Sequence, residues 1–379
     1  MTKAALATIA QKNRIYDRIL NRFSEGKSFL VSGHANPDAD CLATMVGVSL
    51  LIRKFSKPVR LITEGHMPKN LDYLLVIAEY NGVHLQNVSE IPPDTMIVCD
   101  TAKPSLLPER EELEQTFASR DVVTIEIDHH LGGDSAYIAR PMYALVDEAS
   151  SACSLLARLA WKLSLSGQIN EVFTRNVVVA LLTGMVGDTQ MGKVLSSRRE
   201  SRMYSLLISY LDQMLREQTF SKGKFSDAEH LYTEMIRLSD AEREVWKYIM
   251  ELKVVDRSVG YIALTPEQST DLFYTYGADV VVSVTRSAAD RLAEESGRLG
   301  LVVYYDERQE ESLLQCRMRR NYGYEDVDLR KLLDRLNITD GGGHPGAIGF
   351  RFPRSRIGDY PNLIHRIVEA ANELARGGS

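Results

Sequence analysis

The chain has 379 residues, of which 45 are Lys or Arg and 51 are Asp or Glu, a formal charge of −6. That length suits about two domains, each with its own core, and 25% charged beside 44% hydrophobic residues excludes wholesale disorder. No apolar run approaches the roughly 20 residues of a membrane helix, and net acidity argues against a non-specific coat on nucleic acid, though not against a phosphate-bearing substrate held through metal ions.

The first half alternates between two periodicities. β-rich runs at 28–32, 59–63, 95–99 and 122–127 are separated by helix-like segments, the pattern of a parallel sheet with helices on both faces. Gly33-His34 follows the first run, Asp100 the third and Asp128-His129-His130 the fourth. Ligands of open α/β sheets bind beyond the carboxyl ends of strands, so these polar ends are expected to converge at one crevice.

From Ser150 the pattern is helical. Leu155, Leu156, Leu159, Ala160 and Leu163 form one stripe, and 177–186 reads as a helix buried nearly all round. Met203, Leu206, Leu207, Tyr210, Leu211 and Met214 predict a long helix leaving the first domain, and the polar stretch 217–226, with Gly223, is the best linker. A second alternation begins near Val254, with strands expected at 279–284, 300–305, 313–318 and 348–352, a helix at 327–336 and an amphipathic helix at 357–375. The fold class is α/β: a parallel-sheet domain at 1–205, a helical connector at 206–250 and a smaller α/β domain at 251–379.

Cys41, Cys99, Cys153 and Cys316 are far apart and include no CxxC pair. This fits neither a zinc knot nor a disulfide framework, and with a poor N-terminal signal sequence it leads to the expectation of a reducing, cytoplasmic location and no membrane partner.

The residues with metal-binding capacity gather at the strand ends: His34, Asp38, Asp40, Asp100, Asp128, His129, His130 and Asp188. Asp38 and Asp40 flank Ala39 after Asn36-Pro37, a turn that can aim both carboxylates one way. Asp188 ends an apolar run, where a carboxylate is costly unless paired or bound to a cation. Carboxylates with imidazoles suit Mn²⁺, Mg²⁺ or Fe²⁺, and one carboxylate shared between two ions is how a two-metal hydrolase is built. Any single Asp here is more simply a turn former or helix cap; the conjunction in one domain favours a metal site.

These motifs resemble those of the DHH-family phosphoesterases: GHANPDAD at 33–40, VCDT at 98–101, DHH at 128–130 and GMVGDT at 184–189. GGGHPGAIGF at 341–350 resembles the signature of the DHH-associated domain, and order and signature together are most similar to the bifunctional oligoribonuclease/3′-phosphoadenosine-5′-phosphate (pAp) phosphatase branch. The resemblance implies a DHH catalytic domain followed by a substrate-binding domain, with two Mn²⁺ ions (Mg²⁺ or another divalent ion being an alternative). It places His34, Asp38 and Asp100 around one ion and Asp40, Asp100, His129 and Asp188 around the other, with Asp100 bridging. Asp128 is implied to orient a histidine and His130 to face the scissile phosphate, so that His130, Asp100 and Asp128 form the catalytic set. Cys41-Leu42-Ala43-Thr44 departs from the family's commoner small residue and Ser, and Thr44 is expected to cap the following helix.

In the C-terminal domain Gly341, Gly342 and Gly343 permit positive φ and an anion nest, and His344 can donate to a phosphate or nucleobase. The run CRMRR at 316–320 puts Arg317 and Arg319 on one strand face, able to grip successive phosphates, and Arg320 on the other. The expected activity is Mn-dependent hydrolysis of short single-stranded oligoribonucleotides to 5′-mononucleotides, or removal of the 3′-phosphate from pAp-type nucleotides, with the substrate held across both domains. A cyclic or linear dinucleotide phosphodiesterase, a pyrophosphatase or polyphosphatase, and a non-catalytic nucleotide-sensing module are the alternatives. A homodimer is compatible with the sequence.

Overall fold

The β-branched runs of the first half become strands. The computed structural model describes the chain apart from residues 1, 7, 66, 86–90, 134, 190–194, 196, 218–224, 226, 307–312, 322, 325 and 378–379. It divides into two units, Met1–Arg237 and Leu238–Ser379, so the boundary falls inside the 206–250 stretch. Most of the 217–226 linker lies outside the described residues.

The first unit runs α1 (Ile9–Glu25), β1 (Phe29–Gly33), α2 (Ala39–Arg53), β2 (Val59–Ile62), α3 (Asp72–Tyr80), β3 (His84–Leu85), β4 (Thr95–Cys99), α4 (Glu111–Ala118), β5 (Val123–Asp128), β6 (Ala144–Val146), α5 (Ala152–Ser166), α6 (Arg175–Thr189), α7 (Arg198–Glu217) and α8 (Ala228–Met235). Its six strands pair in the order β3-β2-β1-β4-β5-β6, every pair parallel. The winding reverses between β1 and β4, and that switch point is where an open α/β sheet leaves a crevice.

Two helices explain how the site is held there. Both α2 and α6 are apolar nearly all round and buried along most of their length, which only a helix enclosed by other layers can be. Gly184 and Gly187 let them approach: a Cβ on Gly187 would stand 2.7 Å from the Ala39 Cβ. The expected stripe on α5 is buried, but α7 does not leave the unit; Leu207 and Leu211 are fully buried in its core.

The second unit contains α9 (Asp240–Glu251), β7 (Val254–Asp256), β8 (Val259–Ala263), α10 (Pro266–Tyr276), α11 (Ala278–Ser296), β9 (Leu299–Asp306), β10 (Leu313–Arg320), α12 (Arg330–Arg335), β11 (Gly341–His344), β12 (Ala347–Pro353) and α13 (Tyr360–Arg376). The sheet order is β11-β12-β10-β9-β8-β7, with only β8–β9 parallel. One sheet face packs against α9, α10 and α11 through Val302 and Tyr304; the other packs against α12 and α13 through Cys316, Met318 and Phe350.

The strand expected at 279–284 is the start of helix α11. Helix propensity disfavours valine by no more than about 0.7 kcal/mol per residue. Burial of Val281, Val284, Ala288 and Leu292 on one face, at about 1.5–3 kcal/mol for each large apolar side chain, outweighs that. All four cysteines are buried and free, and among the described residues no helix is long and apolar enough to cross a membrane.

Candidate metal centre

The centre is built at the carboxyl ends of β1, β4 and β5 and at the facing ends of α2, α5 and α6. Asp38 is the N-cap of α2 and accepts from the Cys41 N–H at 3.2 Å. Thr44 therefore does not cap this helix; its hydroxyl lies 3.4 Å from Asp40 Oδ1 and 3.2 Å from Cys153 Sγ.

Asp40 is fully buried, and it is held by the start of another helix. Its carboxylate accepts from the backbone N–H groups of Ala152 at 2.6 Å and Cys153 at 2.9 Å, the first residues of α5. Those amides have no partner within the helix and carry the positive end of its dipole, so they favour an anion. Burial, followed by the charges of Asp100 and Asp188, nevertheless pushes the Asp40 pKa well above the usual carboxylate range.

Asp100 follows β4 with φ of +46°, a left-handed conformation uncommon outside glycine. Its amide donates to Ile127 O at 2.9 Å, which fixes the turn. The side chain faces two ways: Oδ2 lies 3.9 Å from His34 Nε2, while Oδ1 lies 3.2 Å from His129 Nε2 and 3.6 Å from His130 Nδ1. Oδ1 is buried and accepts no hydrogen bond.

Each histidine is aimed through its other nitrogen. His34 Nδ1 donates to Ala35 O at 2.9 Å and His129 Nδ1 to Ala149 O at 3.2 Å. The Nε2 of His129 then stands among three carboxylates, 3.7 Å from Asp40, 3.2 Å from Asp100 and 3.5 Å from Asp188. Burial alone would lower the His129 pKa, but the Asp100 contact and the neighbouring carboxylates hold it well above its ordinary value. Acceptors converging on an acceptor nitrogen are stabilised by a proton or a cation between them, and this nitrogen–oxygen set suits a hard divalent ion.

Asp128 orients a histidine, but that histidine is His130: Oδ1 meets its Nδ1 at 2.7 Å, and Oδ2 accepts from its backbone N–H at 3.2 Å. Although burial acts to raise it, the Asp128 pKa is held well below the usual range by His130 and Lys3, and Asp128 in turn raises that of His130. Cys41 Sγ lies beside His34 and Asp100. Burial raises its pKa to about 11.

The structure thus brings His34, Asp38, Asp40, Asp100, Asp128, His129, His130 and Asp188 together. The sequence reading missed the α5 amides, for which Ser151 as N-cap was the available signal, the Ala149 carbonyl, and Lys3, for which it held none.

The remaining predicted residues lie in the second unit. Arg317 and Arg319 share a face of β10, with Arg317 Nε donating to the Tyr304 hydroxyl at 3.4 Å and Arg319 Nε 3.7 Å from Asp290. Arg320 instead donates to Val327 O at 2.6 Å. Gly341, Gly342, Gly343 and His344 form an edge strand paired with β12, and only Gly343 of the three glycines has positive φ. Their backbone groups on the β12 side are engaged in the ladder, which limits any anion nest.

Residues 28–185 match the DHH family, N-terminal domain. The first unit carries a DHH-family domain. Its strand-end acids and histidines are the centre just described. A probable manganese-dependent inorganic pyrophosphatase from Streptococcus mutans is 25% identical to the chain over 167 residues, 43% of this chain and 49% of that protein. A second, from Streptococcus suis, is 27% identical over 168 residues, 44% and 49% of the two chains. The chain spans about half the length of these curated relatives.

Beyond the DHH domain, the whole chain resembles in fold an exopolyphosphatase-related protein from Bacteroides fragilis, with a TM-score of 0.68, 18% identity and coverage of 96% of this chain and 97% of that one. RecJ from Thermus thermophilus, solved with Mn²⁺, gives a TM-score of 0.54 at 13% identity, covering 97% of this chain and 56% of that one.

Proposed function

We propose that the protein is a divalent-metal phosphoesterase whose centre holds two ions, and that it hydrolyses short oligoribonucleotides or pAp-type nucleotides. The observation that carries the reading is the two-sided carboxylate of Asp100, one oxygen toward His34 and the other toward His129. His34, Asp38 and Asp100 would hold one ion, and Asp40, Asp100, His129 and Asp188 the other. The name of the Streptococcus relatives supports manganese.

When bound, such ions polarise the phosphoryl oxygens and make a water acidic enough to serve as nucleophile near neutral pH. The chain's own residues do the positioning. The α5 amides hold Asp40 in one orientation, and the Ala149 carbonyl fixes the His129 tautomer, the role outer partners play for metal-bound imidazoles. His130, clamped by Asp128 through both its ring and its backbone, would donate a hydrogen bond to a phosphoryl oxygen as charge develops there. In the second unit Arg317 and Arg319 would be the groups that bind phosphate, guanidinium groups being suited to it.

A second reading, pyrophosphate hydrolysis, is favoured by the Streptococcus relatives. The similarity covers less than half of this chain, so it bears on the metal chemistry more than on the substrate. Purified protein with Mn²⁺ is assayed side by side on di- to pentaribonucleotides, pAp, a cyclic and a linear dinucleotide, and pyrophosphate. Preference for the short RNA or pAp supports the proposal; preference for pyrophosphate favours the second reading, and turnover of none of them ends both.

A further inference from the structure

We propose that Lys3 is a positioning residue for His130, acting through Asp128. The Lys3 side chain is fully buried beneath the DHH motif, as are those of Glu126 and Asp128 beside it. Its ammonium meets three oxygens, Thr101 O at 2.6 Å, Asp128 Oδ2 at 2.6 Å and Glu126 Oε1 at 2.7 Å. An ammonium has three protons and no other way to satisfy them in a dry interior.

The three oxygens are not equivalent. Thr101 directly follows Asp100 and ties the ammonium to the end of β4. Asp128 ends β5 and clamps His130 at 2.7 Å. Glu126 balances charge and also accepts from the Ile138 and Ala139 amides at 3.0 and 3.1 Å. The backbone around Lys3 is fastened to the loop after the motif: Lys3 O accepts from the Gly132 N–H at 3.2 Å, and the Tyr137 hydroxyl bridges the Ala4 N–H and carbonyl at 3.2 and 3.1 Å. One cation thus sets the separation of the β4 and β5 ends and points one Asp128 oxygen downward, leaving the other for His130.

A purely structural lysine would do less. Asp128 without its ammonium can rotate toward the amides around it, and His130 then loses a fixed ring orientation. Outer partners of this kind typically change activity by about 10- to 100-fold when removed. The inference rests on the phosphoesterase reading for its kinetic arm only.

The test uses the full chain with Lys3→Met and with the charge-balanced Lys3→Met/Glu126→Gln. Three quantities are read: the thermal midpoint, kcat and KM on whichever substrate the wild type turns over, and the low-field imidazole proton of His130, assigned by its disappearance in His130→Asn. The expected result is a folded variant whose kcat falls by about 10- to 100-fold while KM stays within about threefold, together with a shifted or lost His130 proton. An unmoved proton in a folded variant overturns the proposal, whether or not kcat falls. Failure of both variants to fold also overturns it, since Lys3 would then be a folding residue. If the wild type turns over no substrate, the hydrolase reading fails while the imidazole proton still decides the role of Lys3.

Discussion

Gly184 of α6 gives up its side chain where Asp40 of α2 needs the space: a Cβ there would lie 2.7 Å from Asp40 Oδ1 and 2.3 Å from Cys153 Sγ. Gly184→Ala is therefore expected to displace Asp40 or the start of α5. Overpacking of this kind costs about 1–3 kcal/mol. Denaturant melts should show that loss, and calorimetric titration with Mn²⁺ should show weakened binding. Wild-type stability and binding would mean that the two helices are not locked at this glycine.

Ions held by the folded chain alone must stabilise it. A ligand at 100 times its Kd adds about 2.7 kcal/mol, and about 2–4 °C accompanies each kcal/mol for a unit of 150–250 residues. The midpoint of the first unit should rise by about 5–10 °C on adding Mn²⁺ to chelator-treated protein, as followed by differential scanning calorimetry.

Much of this centre was legible from the chain. β4 forms over Thr95–Cys99, where the β-branched run predicted it, and the acids at the strand ends converge because a parallel sheet brings its carboxyl ends to one side. What failed were features set by tertiary context. The valines at 280–282 read as a strand, yet helical burial of the same segment outweighs local propensity. The glycines at 341–343 read as permitting positive φ, but pairing with β12 places them on an edge strand and only Gly343 has it. Lys3 carries no local signal, since only the fold brings it to residues about 125 positions away.

Asp128→Asn keeps the shape of the side chain but presents an amide where His130 Nδ1 meets a carboxylate oxygen at 2.7 Å. The ring loses its charged partner and its fixed orientation. kcat should fall by about 10- to 100-fold, with Mn²⁺ affinity nearly unchanged. Steady-state kinetics beside a Mn²⁺ titration would expose the opposite pattern, a loss of metal with no effect at saturating Mn²⁺.

In the second unit, Arg319→Ala is expected to raise KM and leave kcat unchanged, because a remote phosphate contact binds ground and transition states alike. A charged hydrogen bond is worth about 1.5–3 kcal/mol, so the rise should be at least about 10-fold. Initial rates over a substrate series decide it. An unchanged KM would leave Arg319 as a partner of Asp290 and nothing more.

The central claim is that Asp100 serves two ions at once, and Mn²⁺ binding to Asp100→Asn measures it most directly. Asn tolerates the left-handed backbone that Asp100 adopts at φ of +46°, so the variant should fold. Calorimetric titration of the wild type should show two Mn²⁺ per chain, and of Asp100→Asn a weakening of both by more than about 100-fold, beyond the scale of outer partners. Loss of one ion with the other bound at wild-type affinity, or a single ion in the wild type, would contradict the account.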